Sequence, residues 1–178
     1  MKILGMTSSP HENGNTAALV KAALNNAASK GAETEYVDLT KYTINPCKGC
    51  NYCKAHDTCV QKDDFAEIAG KMASADGIVL GSPIYFFDIN AQEKVLIDRL
   101  YALIDAGFKS RVPPGKKIGF IYSQNTPDRK AFDVHLNKYC QAAGMLGMES
   151  VGKFVSVGDV SKNPAEKEGA VALSDKLL

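Results

Sequence analysis

Four of the five cysteines in this chain fall in one run, Cys47, Cys50, Cys53 and Cys59, at the spacing C-x2-C-x2-C-x5-C. Thiolates two residues apart can turn inward from a single tight loop, and the fourth can close the site. A cubane iron–sulfur cluster is wrapped in this way, its irons held by cysteine sulfur. A structural zinc takes the same ligands, usually as two Cys pairs set further apart. Disulfides or a redox dithiol are the third possibility, since C-x2-C alone suggests a thioredoxin-like pair. The spacing favours a [4Fe-4S] cluster and leaves zinc, disulfides or free thiols as alternatives. One difference from the bacterial ferredoxin run is plain: Val60, not proline, follows the last cysteine, and Pro46 precedes the first.

Three other stretches could hold a ligand. Thr7 to Thr16 offers hydroxyls, Gly14 and the start of a helix, whose free N–H groups and dipole attract phosphate. An ordinary capped turn is the plainer reading of the same residues. The stretch is neither a dinucleotide-binding glycine fingerprint nor a P-loop. Gly81 to Asn90 carries Tyr85, Phe86 and Phe87 in succession just past an apolar run. Such aromatics can cover a flat heteroaromatic ring, or pack at a dimer surface. Ser123-Gln124-Asn125-Thr126-Pro127 is polar and can bond a ring or a phosphate, or simply turn.

The elements that must position these stretches alternate in type. Short apolar or alternating runs at Lys2–Met6, Thr34–Leu39, Ile78–Gly81, Lys117–Tyr122 and Gly152–Val157 read as strands. Segments with helical spacing lie between and after them: Asn15–Leu24, capped by Asn15 or Asn13, Asp63–Ala73, Gln92–Ala106, Lys130–Ala143 and Pro164–Leu178. Strands apolar on both faces and alternating with helices form a parallel sheet covered on both sides. The expected fold is an α/β, flavodoxin-like, doubly wound five-stranded sheet of order 2-1-3-4-5, built as one domain over 1–178 with a cysteine-rich loop at 47–59. Its ligand site lies at the carboxyl ends of strands 1 and 3, where the strand order reverses. A phosphate cradle, an aromatic platform and a polar third loop around that point describe a mononucleotide with a flat ring, and FMN fits.

Composition bounds the partners. With 178 residues, 45% hydrophobic content and a net charge of +1, the chain can bury a substantial core and has no polybasic run. Nucleic acid is therefore not an expected partner. No apolar stretch approaches the roughly 20 residues of a membrane-spanning helix, so no membrane association is expected. The short N-terminal apolar run does not read as a signal peptide, which makes a reducing cytoplasm the expected compartment and metal or redox use the expected role of the cysteines.

The sequence resembles the flavodoxin-like NADPH-dependent FMN reductases and, within them, the iron–sulfur flavoproteins. The resemblance rests on Ser8-Ser9-Pro10 with Gly14-Asn15-Thr16, on the Cys47 to Cys59 run followed by Asp63-Asp64, on Ala75-Asp76-Gly77 with Gly81-Ser82-Pro83-Ile84-Tyr85, and on Lys94 with Asp98-Arg99. It implies that Ser9, Asn15 and Thr16, with Ser8, contact the FMN phosphate. It further implies that Pro83, Ile84, Tyr85 and Phe86 lie against the isoalloxazine, and that Ser123 and Gln124 are lesser contacts. By the same resemblance a [4Fe-4S] cluster sits near the flavin on Cys47, Cys50, Cys53 and Cys59, and the chain assembles as a homodimer or homotetramer. His11 stands where the family usually has a basic residue, and the third loop lacks the glycine pair often found beside the ring.

The expected function is an FMN-dependent oxidoreductase passing electrons between FMN and the cluster, with no side chain required as acid or base. Ferredoxin or NAD(P)H is the expected donor. The alternatives are an NAD(P)H-dependent FMN or quinone reductase without a cluster, a flavodoxin-type electron carrier, and a zinc-stabilised binding module. Asp98-Arg99 reads as an ion-pair or helix-packing feature, Asp63-Asp64 as a helix cap, and Cys140 as a buried small residue.

Overall fold

A computed structural model describes residues 1–178. Strands β1 (Lys2–Thr7), β2 (Glu33–Asp38), β3 (Gly77–Tyr85), β5 (Lys117–Gln124) and β6 (Glu149–Val157) form one parallel sheet in the order β2-β1-β3-β5-β6. This is the expected doubly wound arrangement. A sixth strand, β4 (Asp88–Ile89), folds back antiparallel on the end of β3. Helices α1 (Asn15–Ser29) and α6 (Glu166–Asp175) cover one face, while α3 (Phe65–Ser74), α4 (Ala91–Arg99) and α5 (Asp133–Met145) cover the other. The short α2 (Tyr52–Ala55) lies within the cysteine loop.

Side-chain alternation along the strands builds the two cores. On β3, Ile78 and Leu80 pack toward α3, α4 and α5, whereas Val79 packs toward α1 and α6. Gly81 falls on the α1 face, where a Cβ would stand 2.6 Å from Val20 Cγ2 and 2.9 Å from Thr16 Cγ2. Only glycine lets the first turn of α1 approach the sheet this closely, and that turn forms one wall of the ligand cleft.

Several boundaries differ from expectation, each for a local reason. β3 continues through Tyr85, because pairing of Ile84 and Tyr85 with β4 extends it into what reads as a loop. β5 likewise runs through Gln124, so Ser123 and Gln124 end a strand instead of opening a turn. α4 stops at Arg99 and tightens into a 3-10 turn over Leu100–Leu103, followed by extended backbone at Ile104. The cap of α1 is Gly14, in place of Asn13 or Asn15, and no side chain accepts a cap bond from this helix start. No helix is long and apolar enough to cross a membrane.

Candidate functional site

At the carboxyl ends of β1, β3 and β5 lies a cleft of about 410 Å³. Its walls are Ser9, His11, Asn13, Gly14, Asn15 and Thr16 from the β1–α1 loop, Pro83, Ile84 and Tyr85 from β3, Ser123, Gln124 and Asn125 from the end of β5, and Asp159. It sits at the topological switch point between β1 and β3, where doubly wound sheets bind ligands. No Lys or Arg lines it. Because Gly14 offers α1 no side-chain cap and the first turn holds no acidic residue, the opening amides of the helix are left for an anion.

The sequence-derived site residues are distributed as follows. Ser9, Asn15, Thr16, Pro83, Ile84, Tyr85, Ser123 and Gln124 all line the cleft. Within it, Thr16 Oγ1 and Ser123 Oγ are 2.7 Å apart, which ties the α1 wall to the β5 wall. The side chain of Asn15 is committed elsewhere: its Nδ2 donates to Gly158 O at 2.9 Å, and its Oδ1 accepts from Val160 N at 3.0 Å. Asn15 thereby holds the loop that carries Asp159.

Ser8 and Phe86 fall outside the lining. Ser8 is fully buried behind the cleft, its amide donating to Gly81 O at 2.9 Å and its Oγ lying 3.1 Å from the same carbonyl. Phe86 points to solvent at 96% exposure, because it occupies the turn between the paired residues Tyr85 and Asp88. That turn puts Phe86 at φ 47° and Phe87 at φ 75°, both left-handed. Asp88 clamps it by accepting from Tyr139 Oη at 2.9 Å and Lys138 Nζ at 2.8 Å, and Phe87 meets Phe132 edge-on at 5.7 Å.

Behind the same wall, α4 starts at the cap Asn90, whose Nδ2 donates to Ser8 O at 2.7 Å and whose Oδ1 accepts from Glu93 N at 3.1 Å. Glu93 is fully buried, and burial pushes its carboxyl up to about 8. Tyr122 on β5 is also buried and its hydroxyl is held well above the usual phenol range by the same cause. Sequence reading missed Glu93, which there looks like one more helix-surface charge. It also missed Asp159; the signal available was its place just past the carboxyl end of the last strand, where a doubly wound fold gathers its ligand loops.

The four motif cysteines line a second, much smaller pocket of about 20 Å³ together with Arg99, Tyr101 and Gln61. Left-handed backbone at Gly49 and Asn51 makes the loop tight enough to bring Cys47, Cys50 and Cys53 to one side. All are free thiols, with Cys47 and Cys50 exposed and Cys53 and Cys59 half-buried. As the side chains stand, no three His, Cys, Asp or Glu groups converge at metal-ligating spacing. The donor set nonetheless suits a cluster in kind, since four thiols and no carboxylate face one pocket. Cys140 belongs elsewhere, packed against the larger core under α5.

Arg99 fixes the base of this loop. Its guanidinium meets Asp63 at two points and donates from Nη1 to Asn45 O at 2.7 Å. Lys54 in α2 donates to Tyr101 O at 2.9 Å and lies 3.4 Å from the centre of the Tyr101 ring. Asp64 accepts from Thr43 N at 2.7 Å. Thus Asp63 and Arg99 serve the loop as partners, while Asp98 pairs with Lys94 on the outer face of α4.

The two sites do not share a lining residue. The first turn of α4, with Asn90 and Glu93, lies behind the cleft wall, and its last residue, Arg99, lines the cysteine pocket. Nine helical residues span about 13 Å.

The family model for NADPH-dependent FMN reductases matches residues 1–161. An iron–sulfur flavoprotein of Methanocaldococcus jannaschii is 46% identical over 125 residues, covering 70% of this chain and 64% of that one. An iron–sulfur flavoprotein of Methanosarcina thermophila is 33% identical over 168 residues, covering 94% and 86%. Among solved structures, an NAD(P)H:quinone oxidoreductase from Methanothermobacter marburgensis superposes with a TM-score of 0.74 at 16% identity, covering 100% of this chain and 99% of that one. At that identity the likeness is one of fold.

Proposed function

This chain belongs to the NADPH-dependent FMN reductase family, and from that membership we propose that it is an FMN-dependent oxidoreductase that also carries a [4Fe-4S] cluster on Cys47, Cys50, Cys53 and Cys59. The observation that carries the flavin reading is the cleft: an uncapped helix start facing Pro83, Ile84 and Tyr85 across the β1/β3 switch point. The names of the two relatives and the count of thiols on one pocket support the cluster.

In this reading Ser9, Thr16 and the first amides of α1 bind the phosphate, and Pro83 to Tyr85 cover the ring. The Thr16–Ser123 contact sets the width between those walls. Bound there, the flavin supplies two-electron chemistry and the cluster one-electron chemistry. The chain contributes position and burial. Electrons arrive from NAD(P)H or ferredoxin in a cytoplasmic setting, and the working form is a homodimer or homotetramer. A second reading, an FMN or quinone reductase without a cluster, draws support from the thiols' lack of convergence and the separation of the two sites along α4.

Iron, acid-labile sulfide and flavin per chain, measured on protein purified without oxygen, test both readings. About four irons and four sulfides with one FMN, and loss of iron in Cys50→Ser, are expected for the first. FMN without iron or sulfide after reconstitution leaves the simple reductase. Zinc without flavin overturns both in favour of a zinc-stabilised binding module.

A further inference from the structure

Glu93 lies fully buried on the first turn of α4, one layer behind the cleft. Its Oε1 has no hydrogen-bond partner, and its Oε2 is 3.4 Å from Ser8 Oγ. Ser8 Oγ is also 3.1 Å from Gly81 O, which can only accept. A hydroxyl has one proton to give. Gly81 O already accepts from Ser8 N at 2.9 Å, so the hydroxyl proton has two acceptors within reach, Gly81 O and Glu93 Oε2. When it lies on the nearer Gly81 O, a neutral Glu93 carboxyl can donate to Ser8 Oγ.

An ionised Glu93 would instead be a buried charge with one bare oxygen and no cation to meet it. The groups facing it are Ser8 from the β1–α1 loop, Tyr122 from β5 with its own hydroxyl unpartnered, Asp88 from β4 and Tyr139 from α5. Cys140 of α5 stands beside Tyr122, and Lys138 of α5 is taken up by Asp88. On the other side of Ser8, Ser9 and the first turn of α1 line a cleft whose titratable side chains are His11, Tyr85 and Asp159, with no Lys or Arg.

We propose that Glu93 decides whether this cleft accepts a phosphate monoester: as a neutral acid it braces Ser8 from behind, and as a carboxylate it repels the phosphate. The inference rests on the FMN reading above. Because burial raises the carboxyl to about 8, the change falls within an accessible pH range. Riboflavin, which has the same ring and no phosphate, isolates the effect.

The experiment measures FMN and riboflavin affinity by fluorescence quenching, for the wild-type chain and for Glu93→Gln, at about pH 7 and about pH 9. Wild-type affinity for FMN is expected to fall on the order of tenfold across that interval, as for a charge brought near a phosphate dianion at partial screening. Riboflavin affinity stays level, and Glu93→Gln binds FMN equally at both pH values. A level FMN affinity in the wild type, an equal fall for riboflavin, or a fall that persists in Glu93→Gln overturns the proposal. Binding of neither flavin at either pH overturns the cofactor reading itself and the inference with it.

Discussion

Arg99 Nη1 and Nη2 meet Asp63 Oδ2 and Oδ1 at 2.6 and 3.0 Å, with the two side chains only 1% and 3% exposed. The pair closes the cysteine loop at its base: Asp63 follows Cys59, and both partners also bond Asn45, just before Cys47. The loop is thus a closed excursion whose ends are held to the last residue of α4. Removing one partner leaves a buried, unpaired charge. Arg99→Ala is expected to destabilise the fold by about 3–5 kcal/mol, and replacing both residues by apolar ones to cost far less. Urea unfolding of the two singles and the double at neutral pH checks this; equal losses in all three would refute it.

The same pair sets an acid response. Hydrogen bonding from Arg99 holds the Asp63 carboxyl well below the usual carboxylate range. A lowered folded value means that the native state binds fewer protons than the unfolded chain. The stabilisation is therefore complete above about pH 4, the unfolded value, and is lost as pH falls below it. Asp63→Asn should flatten the stability profile in that acid interval and leave its neutral-to-alkaline shape unchanged, as read by thermal melts across pH.

Glu93 works in the opposite direction. Its carboxyl is raised from 4.5 to about 8 by burial, so the native state holds a proton that the unfolded chain has lost. Stability contributed by the neutral form is present below pH 4.5 and is lost as pH rises toward about 8. Glu93→Gln removes that slope and is expected to be more stable than wild type at pH 8 by about 2 kcal/mol. A wild-type and variant pair whose melting curves shift in parallel across this interval would contradict it.

Phe86 and Phe87 occupy the two central positions of a two-residue hairpin turn with positive φ, a conformation that favours Asn and Gly. Each L side chain there costs about 1–2 kcal/mol. The double substitution Phe86→Asn with Phe87→Gly is expected to raise stability by about 1–2 kcal/mol, after the loss of the Phe87–Phe132 contact is subtracted. Denaturant midpoints at constant slope are the check, and a destabilised double variant would show that the aromatic contacts outweigh the backbone strain.

Gly81→Ala would place a methyl carbon within 2.9 Å of Val20 and Thr16. The first turn of α1 must then move off the sheet, at about 1–3 kcal/mol. Flavin affinity should fall with it, since Thr16 lies on both the contact and the cleft wall. Riboflavin and FMN should both weaken, which distinguishes this variant from Glu93→Gln.

Local patterns determined much of this protein. Strand-length runs alternating with helical spacings specify five parallel strands and their covering helices, because the central strands β1, β3 and β5 are buried on both faces and read as apolar while the edge strands β2 and β6 mix apolar and polar positions. Handed crossovers then leave few strand orders, and the switch point identifies the loops after the first, third and fourth expected strands as the ligand loops, within which the family resemblance singles out Ser9, Thr16 and Pro83 to Tyr85. The Cys47 to Cys59 run is equally visible, since it needs only spacing along the chain. What tertiary structure decided depends on distances that sequence separation hides. Ser8 and Ser9 are neighbours, yet only Ser9 faces the cleft, because the Gly81 carbonyl draws Ser8 to the other side. Asn15 reads as a phosphate ligand but is used by Gly158 and Val160, more than a hundred residues away. Arg99 and Asp63 become partners, and Glu93 becomes a buried acid, only when α4 is laid against the sheet. The same helix sets the two candidate sites at its two ends, because a rigid nine-residue rod cannot bring its first and last turns together.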